Sequence, residues 1–237
     1  MRSWWRVGWI GALLLGPVSS AAQQPVVDTT ALVAPANLGF GRQLWKPALV
    51  VGASFFLDQA TRVTSQDLRS GSTNSLARMG NRFGDPHYFL PAIGVGVVGG
   101  WIFHRPGLTE WGVETAEAGG LAGAAVTVIK EIVGRPRPFQ AGDPDQLKPF
   151  SGYQSFPSGH TTVAAAFATV LASRVRSPWL KGLVYGGAAL TGFARINDDK
   201  HWLSDVLVGG LIGHAAGRLI LHRHARKRAE HRAAAGQ

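Results

Sequence analysis

Proline, glycine and polar residues divide the chain into six apolar stretches, and each has the length of a helix. None of them shows the strict alternation of apolar and polar residues that a half-buried strand requires. We therefore predict an all-α fold, a six-helix bundle. The predicted helices cover residues 44–60, 88–104, 114–133, 158–174, 179–195 and 202–222.

The predicted helices are poor membrane spans by composition. A span needs about 20 mostly apolar residues, whereas Lys181 lies early in the fifth helix and His214 and Arg218 interrupt the sixth. We expect helices buried in a bundle, with integral membrane residence as the second interpretation. The link 61–86 is polar, and only a short helix is expected in it, near residues 74–78.

The N-terminus has the three-part layout of a secretory signal. Arg2 and Arg6 precede an apolar run over residues 7–15, and small residues follow up to Ala22. An uncleaved membrane anchor is the alternative. The signal predicts export to the periplasm or cell envelope, with membrane association. The predicted organisation is a signal peptide at 1–22, a leading segment at 23–43, a helical domain at 44–222 and a basic tail at 223–237.

Composition excludes some chemistry and suggests a partner. The chain has no cysteine, so disulfides, cysteine nucleophiles and cysteine-ligated metals are excluded. The formal net charge is +10, and in the tail five basic residues stand against Glu230. Such a tail is typical of a solvated helix end or of a segment attracted to an anionic membrane surface. Nucleic acid is not expected as a partner, because the basic residues lack interleaved aromatic side chains for base stacking.

Four polar clusters coincide with predicted helix ends. KEIVGRPRP ends the third helix, PSGH opens the fourth, ARINDDKH ends the fifth and HWLSD opens the sixth. If neighbouring helices alternate in direction, all four clusters lie at one end of the bundle. We therefore predict an active site at that end, formed by the ends of helices 3 and 5 and the starts of helices 4 and 6.

The cations in these clusters favour a phosphate ligand. Arginine matches phosphate oxygens with a planar fork and lysine supplies a point charge; a helix N-terminus binds phosphate through free N–H groups. The alternative for each cation is a solvated helix end, and for Ser158 it is helix capping. The residues that would bind phosphate are Lys130, Arg137, Ser158, Gly159 and Arg195.

The histidines favour nucleophilic chemistry. His201 and Asp205 are four residues apart and would share a helix face. The carboxylate would fix the imidazole tautomer and leave the other nitrogen free to attack. His160, from the opposing helix start, could protonate a leaving oxygen. A purely structural histidine–aspartate pair is the alternative.

These motifs resemble those of the type 2 phosphatidic acid phosphatase superfamily, which includes class A acid phosphatases and vanadium haloperoxidases. The family pattern is K-x6-R-P, then P-S-G-H, then S-R-x5-H-x3-D. The spacing within each motif matches, and Ala194 replaces the family's serine. The matching residues are Lys130, Arg137, Pro138, residues 157–160, Arg195, His201 and Asp205.

The resemblance implies a phosphoric monoester hydrolase that forms a phosphohistidine. His201 would attack phosphorus, Asp205 would orient it, and His160 would donate a proton to the leaving group. No metal cofactor is expected, because the cations would stabilise the charge of the transition state. The substrate would be a phosphate ester, either a lipid such as phosphatidic acid or a soluble ester.

Two other functions stay open. A haloperoxidase would hold vanadate at the same donors, so the motifs alone do not exclude it. A non-catalytic helical protein that binds anionic lipid would explain the cations and the tail, but it gives no reason for the two histidines and Asp205. Trp202 is compatible either with a soluble acid phosphatase or with core packing at a helix start.

Overall fold

The computed structural model describes residues 45–235, and that range contains helices and no strand. This confirms the prediction of an all-α fold. The predicted signal peptide at 1–22 and the leading segment at 23–43 lie outside the described residues.

Each predicted helix has a counterpart in the structure. A π-helical turn, Val95–Gly99, joins α3 to α4, so these two form one interrupted rod. The last helix continues to Ala235, so the described part of the basic tail extends it. In chain order the helices are α1 (Trp45–Asp67), α2 (Gly71–Gly84), α3 (Pro86–Gly94), α4 (Gly100–Ile102), α5 (Pro106–Val133), α6 (Gly159–Arg174), α7 (Pro178–Asn197) and α8 (Leu203–Ala235).

Helix α2 corrects the expectation of a polar link with only a short helix. It is 14 residues long and begins with a capping box between Ser70 and Thr73. Its fully buried residues are Ala77, Gly80 and Gly84, and the half-buried Phe83 packs against alanines of α6 and α7. A Cβ at Gly80 would lie 2.2 Å from the backbone oxygen of Leu190. The glycine therefore allows the backbones of α2 and α7 to touch.

Helix α6 lies at the centre and packs against α5, α7 and α8. Its buried surface consists largely of small residues, among them Ala164, Ala166 and Ala168. A Cβ at Gly213 of α8 would lie 2.0 Å from the backbone oxygen of Thr162. Glycine thus brings α8 against α6, which places the starts of these two helices side by side.

The loop between α5 and α6 returns the chain to the same end of the bundle. Helix α5 ends at Gly134, which has a left-handed φ of 57°, a conformation that glycine adopts without steric cost. The loop is tied by a hydrogen bond from the Ser155 N–H to the Arg135 carbonyl oxygen. The end of α5 and the start of α6 are therefore neighbours, as the sequence predicted.

The outward faces of several helices are apolar, contrary to the expectation of helices buried in a bundle. Phe56 is 90% exposed, Trp101 74% and Trp179 66%. Exposed apolar surface on this scale marks contact with a membrane or a partner. By length and composition, one helix in the described range, Leu203–Ala235, could cross a membrane.

Candidate active site

Three half-buried cations meet at the end of the bundle where α6 and α8 begin. Lys130 lies in the last turn of α5, Arg195 lies in the last turn of α7, and Arg137 lies in the loop after α5. Burial, followed by the charge of Arg137, lowers the pKa of Lys130 to about 8; Arg195 contributes to this lowering, and Asp205 opposes it. Within residues 45–235 none of the three forms an ion pair with a carboxylate. Among the described residues, therefore, no carboxylate pairs directly with this positively charged cluster.

One of these cations has a buried N–H group without a hydrogen-bond acceptor in the described chain, and this also indicates an anion-binding site. Arg195 donates one hydrogen bond to Asn81 Oδ1 at 3.1 Å, while its buried Nε has no partner in the described chain. Lys130 donates to the backbone oxygen of Gln154. A buried guanidinium N–H without an acceptor is costly, and a phosphate oxygen would supply one.

The Ser-Gly-His segment opens α6 beside the cations. A Cβ at Gly159 would lie 4.0 Å from Lys130 Cε, so this backbone faces the lysine side chain. Ser158 is fully buried, and its hydroxyl lies 3.0 Å from Thr161 Oγ1. It makes no side-chain capping bond to the helix backbone, contrary to the capping interpretation. Its backbone N–H instead donates to the Asp205 carbonyl oxygen at 2.9 Å.

His160 is the second residue of α6 and is half-buried beside the three cations. Its pKa is lowered to about 4, first by burial and then by the charge of Arg195; Arg137 and Lys130 add to this effect, and Asp85 opposes it. At neutral pH the imidazole is therefore uncharged in the free protein. Any anion that offsets the cations would raise the pKa again.

His201 and Asp205 lie close together, although not both on a helix as the spacing suggested. His201 is in the turn before α8 and Asp205 is in its first turn. His201 Nδ1 is 3.4 Å from Asp205 Oδ2 and has no closer partner in the described chain. Burial lowers the pKa of His201 to about 4 against the opposing effect of Asp205. The ring is thus neutral at pH 7, the form that can attack.

The structure adds residues that the sequence analysis missed. Arg135 is fully buried and bonds Asp205, and Asp58 of α1 bonds Arg135. A carboxylate directly after the apolar run at residues 48–57 was the signal that could have revealed Asp58. Trp202 is 1% exposed, stacks over Arg135 and donates to the Pro136 carbonyl oxygen. Of its two interpretations, the structure favours core packing.

The half of the chain that contains the site motifs matches the model of a known protein family. The model of the PAP2 superfamily matches residues 111–229. The chain belongs to the PAP2 superfamily. This confirms the resemblance drawn from the motifs, and the matched region contains every motif residue from Lys130 to Asp205. The PAP2 match does not reach α1 or α2, which contribute Asp58 and Asn81.

Relatives within this superfamily are named as phosphatases. The chain is 38% identical over 115 residues to lipid A 1-phosphatase of Porphyromonas gingivalis; the match covers 46% of this chain and 24% of that protein. The chain thus spans about a quarter of that relative's length.

Two solved PAP2-type structures resemble this fold. Aquifex aeolicus LpxE has a TM-score of 0.57 at 26% identity, covering 70% of this chain and 95% of that one. A transmembrane PAP2-type phosphatidylglycerolphosphate phosphatase from Bacillus subtilis has a TM-score of 0.59 at 25% identity, covering 75% and 92%. Both matches agree with the all-helical fold, and the second neighbour is named as a transmembrane protein.

Proposed function

We propose that this protein hydrolyses phosphomonoesters of lipids through a phosphohistidine intermediate. The observation that carries the proposal is the half-buried cluster of Lys130, Arg137 and Arg195 near the neutral His201 and His160. Within residues 45–235 none of the three cations has a carboxylate partner. Such a cluster needs an anion, and a phosphate group satisfies the fork of arginine and the charge of lysine together. The two histidines then provide a nucleophile and an acid.

The phosphate group binds first and changes the protonation of the site. Its negative charge offsets the three cations that lower the pKa of His160, so His160 takes up a proton and can act as an acid. The gap between His201 Nδ1 and Asp205 closes to a hydrogen bond, since catalytic hydrogen bonds are often long in the unliganded state. His201 then presents Nε2 to phosphorus.

The chemical step exchanges one bond at phosphorus for another. A bond forms from His201 Nε2 to phosphorus while the bond to the leaving oxygen breaks, and His160 gives that oxygen its proton. The proton on His201 Nδ1 stays on the ring, which becomes positively charged beside Asp205. Water next attacks phosphorus and gives a proton to His160, and the bonding pair returns to Nε2.

The charge of the transition state is stabilised by the chain's own groups. Charge spreads over three equatorial phosphate oxygens in phosphoryl transfer, and preorganised cations reduce its energy. Lys130, Arg137 and Arg195 take that role together with the Gly159 N–H. Buried Ser158 holds this end of α6 to α8 through its N–H bond to Asp205. We propose that no metal cofactor is required.

A lipid substrate fits the surroundings of the site better than a soluble one. A cavity of about 390 Å³ with almost wholly apolar walls is lined by residues of α1, α6, α7 and α8, among them Thr161, Gly192, Val206 and His214. Thr161 and Val206 directly follow His160 and Asp205 in the chain. A hydrocarbon chain suits this cavity, and the relatives' names include a lipid A phosphatase and a phosphatidylglycerolphosphate phosphatase.

We infer that the protein acts at a membrane of the cell envelope after export. The exposed aromatic residues on the outer helix faces support contact with lipid. Arg223, Lys227 and Arg232, on the exposed last turns of α8, support attraction to anionic headgroups.

Phosphate release by the full chain in detergent tests the proposal. Dispersed phosphatidic acid and a soluble phosphomonoester are compared with a chelator present, using wild type, His201→Ala and the control His231→Ala, whose side chain is exposed in the tail. We expect a loss of at least about 1,000-fold in His201→Ala only. Label from the substrate should stay on wild type after an alkaline quench, because phosphohistidine is acid-labile. Undiminished release by His201→Ala would refute the mechanism, and preference for the soluble ester would refute the lipid assignment.

A further inference from the structure

Arg135 stands two residues before Arg137 yet lies in an opposite environment. Its side chain is 1% exposed, and its guanidinium carbon lies 5.4 Å from the ring centroid of Phe55 and 5.4 Å from that of Trp202. It donates to Asp205 Oδ1, Ser204 Oγ and Asp58 Oδ2, each at 2.7 Å. It therefore cannot reach a substrate, and nothing in the mechanism above uses it.

Asp58 completes this group from α1, far away in sequence. It is fully buried and accepts hydrogen bonds from the Ser204 N–H at 2.8 Å and the Ser204 hydroxyl at 2.6 Å, besides that of Arg135. Both of its oxygens are therefore occupied. The start of α8, which carries Asp205, is held to α1 and to the loop before α6 by one connected network.

The network leaves one oxygen of Asp205 for the nucleophile. Arg135 holds Oδ1, whereas Oδ2 accepts from the Ser155 hydroxyl and the Trp202 N–H and faces His201 Nδ1. Rotation of the carboxylate would break bonds at both oxygens. The direction in which Oδ2 faces His201 is thus fixed by side chains that never meet the substrate.

The charges of the network are not balanced. One guanidinium lies between two buried carboxylates, so the group of Asp58, Arg135 and Asp205 carries a net charge of −1. Attack on phosphorus places a positive charge on the His201 ring, directly beside that group. In a buried site of low dielectric constant such charges interact more strongly than in water. If Asp58 were neutral, Arg135 alone would cancel the charge of Asp205.

We propose that Asp58 and Arg135 are positioning residues for the nucleophile: Arg135 fixes the orientation of Asp205, and Asp58 preserves the negative charge that stabilises the His201 ring as it becomes positive. This inference rests on the proposed function, in which His201 is the nucleophile. It assigns to α1, outside the matched family region, a part in the chemistry.

The matched control is a second ion pair from the same helix. Arg62, one turn after Asp58, makes a bidentate pair at 2.8 Å with Asp199 in the turn between α7 and α8. This pair also ties α1 to the site end of the bundle, and the Arg62 guanidinium carbon lies 5.6 Å from the centroid of the Trp202 ring. The pair forms no hydrogen bond or ion pair with Asp205 or His201 in the described chain. Arg62→Gln therefore removes an anchor of similar position without changing the charge at the nucleophile.

The test compares Asp58→Asn, Arg135→Lys and Arg62→Gln with wild type, using two inhibitors. Inorganic phosphate reports the phosphate-binding cations, whereas vanadate becomes five-coordinate through the nucleophile and mimics the transition state. We expect kcat of Asp58→Asn to fall roughly 10- to 100-fold, a size typical of outer-shell partners, with KM and phosphate inhibition little changed. Vanadate inhibition should weaken in parallel with kcat. Arg62→Gln should leave all of these values near wild type, and Arg135→Lys should behave like Asp58→Asn.

Three results would overturn the inference or its foundation, and they are distinguishable. Equal losses of kcat in Asp58→Asn and Arg62→Gln would mean that Asp58 only holds α1 in place and does not act on the charge of the His201 ring. Parallel weakening of phosphate and vanadate would place the defect in phosphate binding. If Asp58→Asn does not fold, Arg135→Lys decides by the same two inhibitors. Wild type that neither turns over nor binds vanadate, or turnover that survives His201→Ala, would instead refute the proposed function itself.

Discussion

Two clusters of charged side chains lie at opposite ends of α5, α6 and α8, and they differ in whether their charges are paired. At the site end, Lys130, Arg137 and Arg195 have no carboxylate partner within residues 45–235. At the other end, Glu110 and Glu114 are paired with Arg174 and Arg228. Glu114 and Lys130 are both on α5, separated by about 24 Å at 1.5 Å per residue.

The paired cluster shows what a structural charge network looks like in this fold. Glu114 is fully buried, and it lies within reach of Arg174, Arg228 and His224, which come from two other helices. The donor atoms of Glu110, Glu114 and His224 lie within 4.8 Å of one another, close enough for a metal ion. The two arginines already neutralise these carboxylates, so the cluster has no charge left to attract a cation.

The difference between the two ends separates stability from function. A fully paired network holds helices together and attracts no ligand. An unpaired one costs stability, because like charges repel and burial opposes them, and a protein retains it only where an anion binds. Substitutions at the two ends should therefore have opposite consequences.

The largest effects should come from removing single arginines at each end. Arg137→Ala and Arg195→Ala should lower kcat about 100- to 1,000-fold, the cost of losing one donor to a transition-state anion, with melting temperatures unchanged or slightly higher. Arg174→Ala, at the other end, should lower the melting temperature and leave kcat alone. Phosphate-release assays and thermal melts of the same preparations check both. A large loss of stability in Arg137→Ala would contradict the contrast.

Removal of a buried carboxylate should be the next largest effect. Glu114→Gln leaves Arg174 and Arg228 short of a charged partner, and we expect unfolding to become easier by about 2 kcal/mol, as when a buried hydrogen-bonding group loses its match. Turnover should be unchanged, since the site lies at the far end. Glu117→Gln is the control, because within residues 45–235 Glu117 forms an ion pair with His224 alone and its side chain is 44% exposed. Similar chemical denaturation midpoints for the two variants would show that burial of Glu114 contributes nothing.

The sequence predicted the local features of the site and missed those that depend on distant pairing. The spacing of Lys130, Arg137 and His201 within short motifs, together with alternating helices, was enough to place them at one end. Asp58 could not be assigned a role, because its partner Arg135 is 77 residues away and no local pattern joins them. Helix α2 was underestimated because its fully buried residues are alanine and glycine, and Phe83 is the large side chain that joins them in the packing against α6 and α7.

The tail illustrates the same limit. Its run of basic residues predicts a solvated helix end or a membrane contact, and local sequence does not reveal which cation finds a buried partner. In the structure Arg228 reaches Glu110 and Glu114 across the bundle. Arg226, two residues earlier, meets only Glu230 within the tail.

A smaller effect is expected in the pH dependence of phosphate binding, which reports on Lys130 and not on the charge network at the other end of the bundle. Lys130 has a pKa of about 8, so it loses its charge as the pH rises above 8. Apparent affinity for inorganic phosphate should then fall by up to about tenfold per pH unit. In Lys130→Arg the charge persists, and this alkaline limb should move to higher pH. An unchanged limb in Lys130→Arg would mean that another group titrates there. Inhibition constants measured from pH 7 to 9.5 provide the comparison.

The smallest effect should be a difference in melting temperature between alanine variants of Arg226 and Arg228, two tail residues that have the same local sequence character. Arg226 pairs with Glu230 while both side chains are mostly exposed, 73% and 59%, and exposed pairs of this kind contribute less than about 0.5 kcal/mol. Arg226→Ala should therefore melt like wild type. Arg228→Ala should melt at a clearly lower temperature, because Arg228 is one of the two arginines that pair with the buried Glu114 carboxylate. Equal melting temperatures for the two variants would mean that the last turns of α8 are not held to α5 by charge. Of the two arginines, Arg174 would then be the one whose pairing with the buried Glu114 carboxylate stabilises this end of the bundle. The cations of the active site have no such carboxylate partner within residues 45–235.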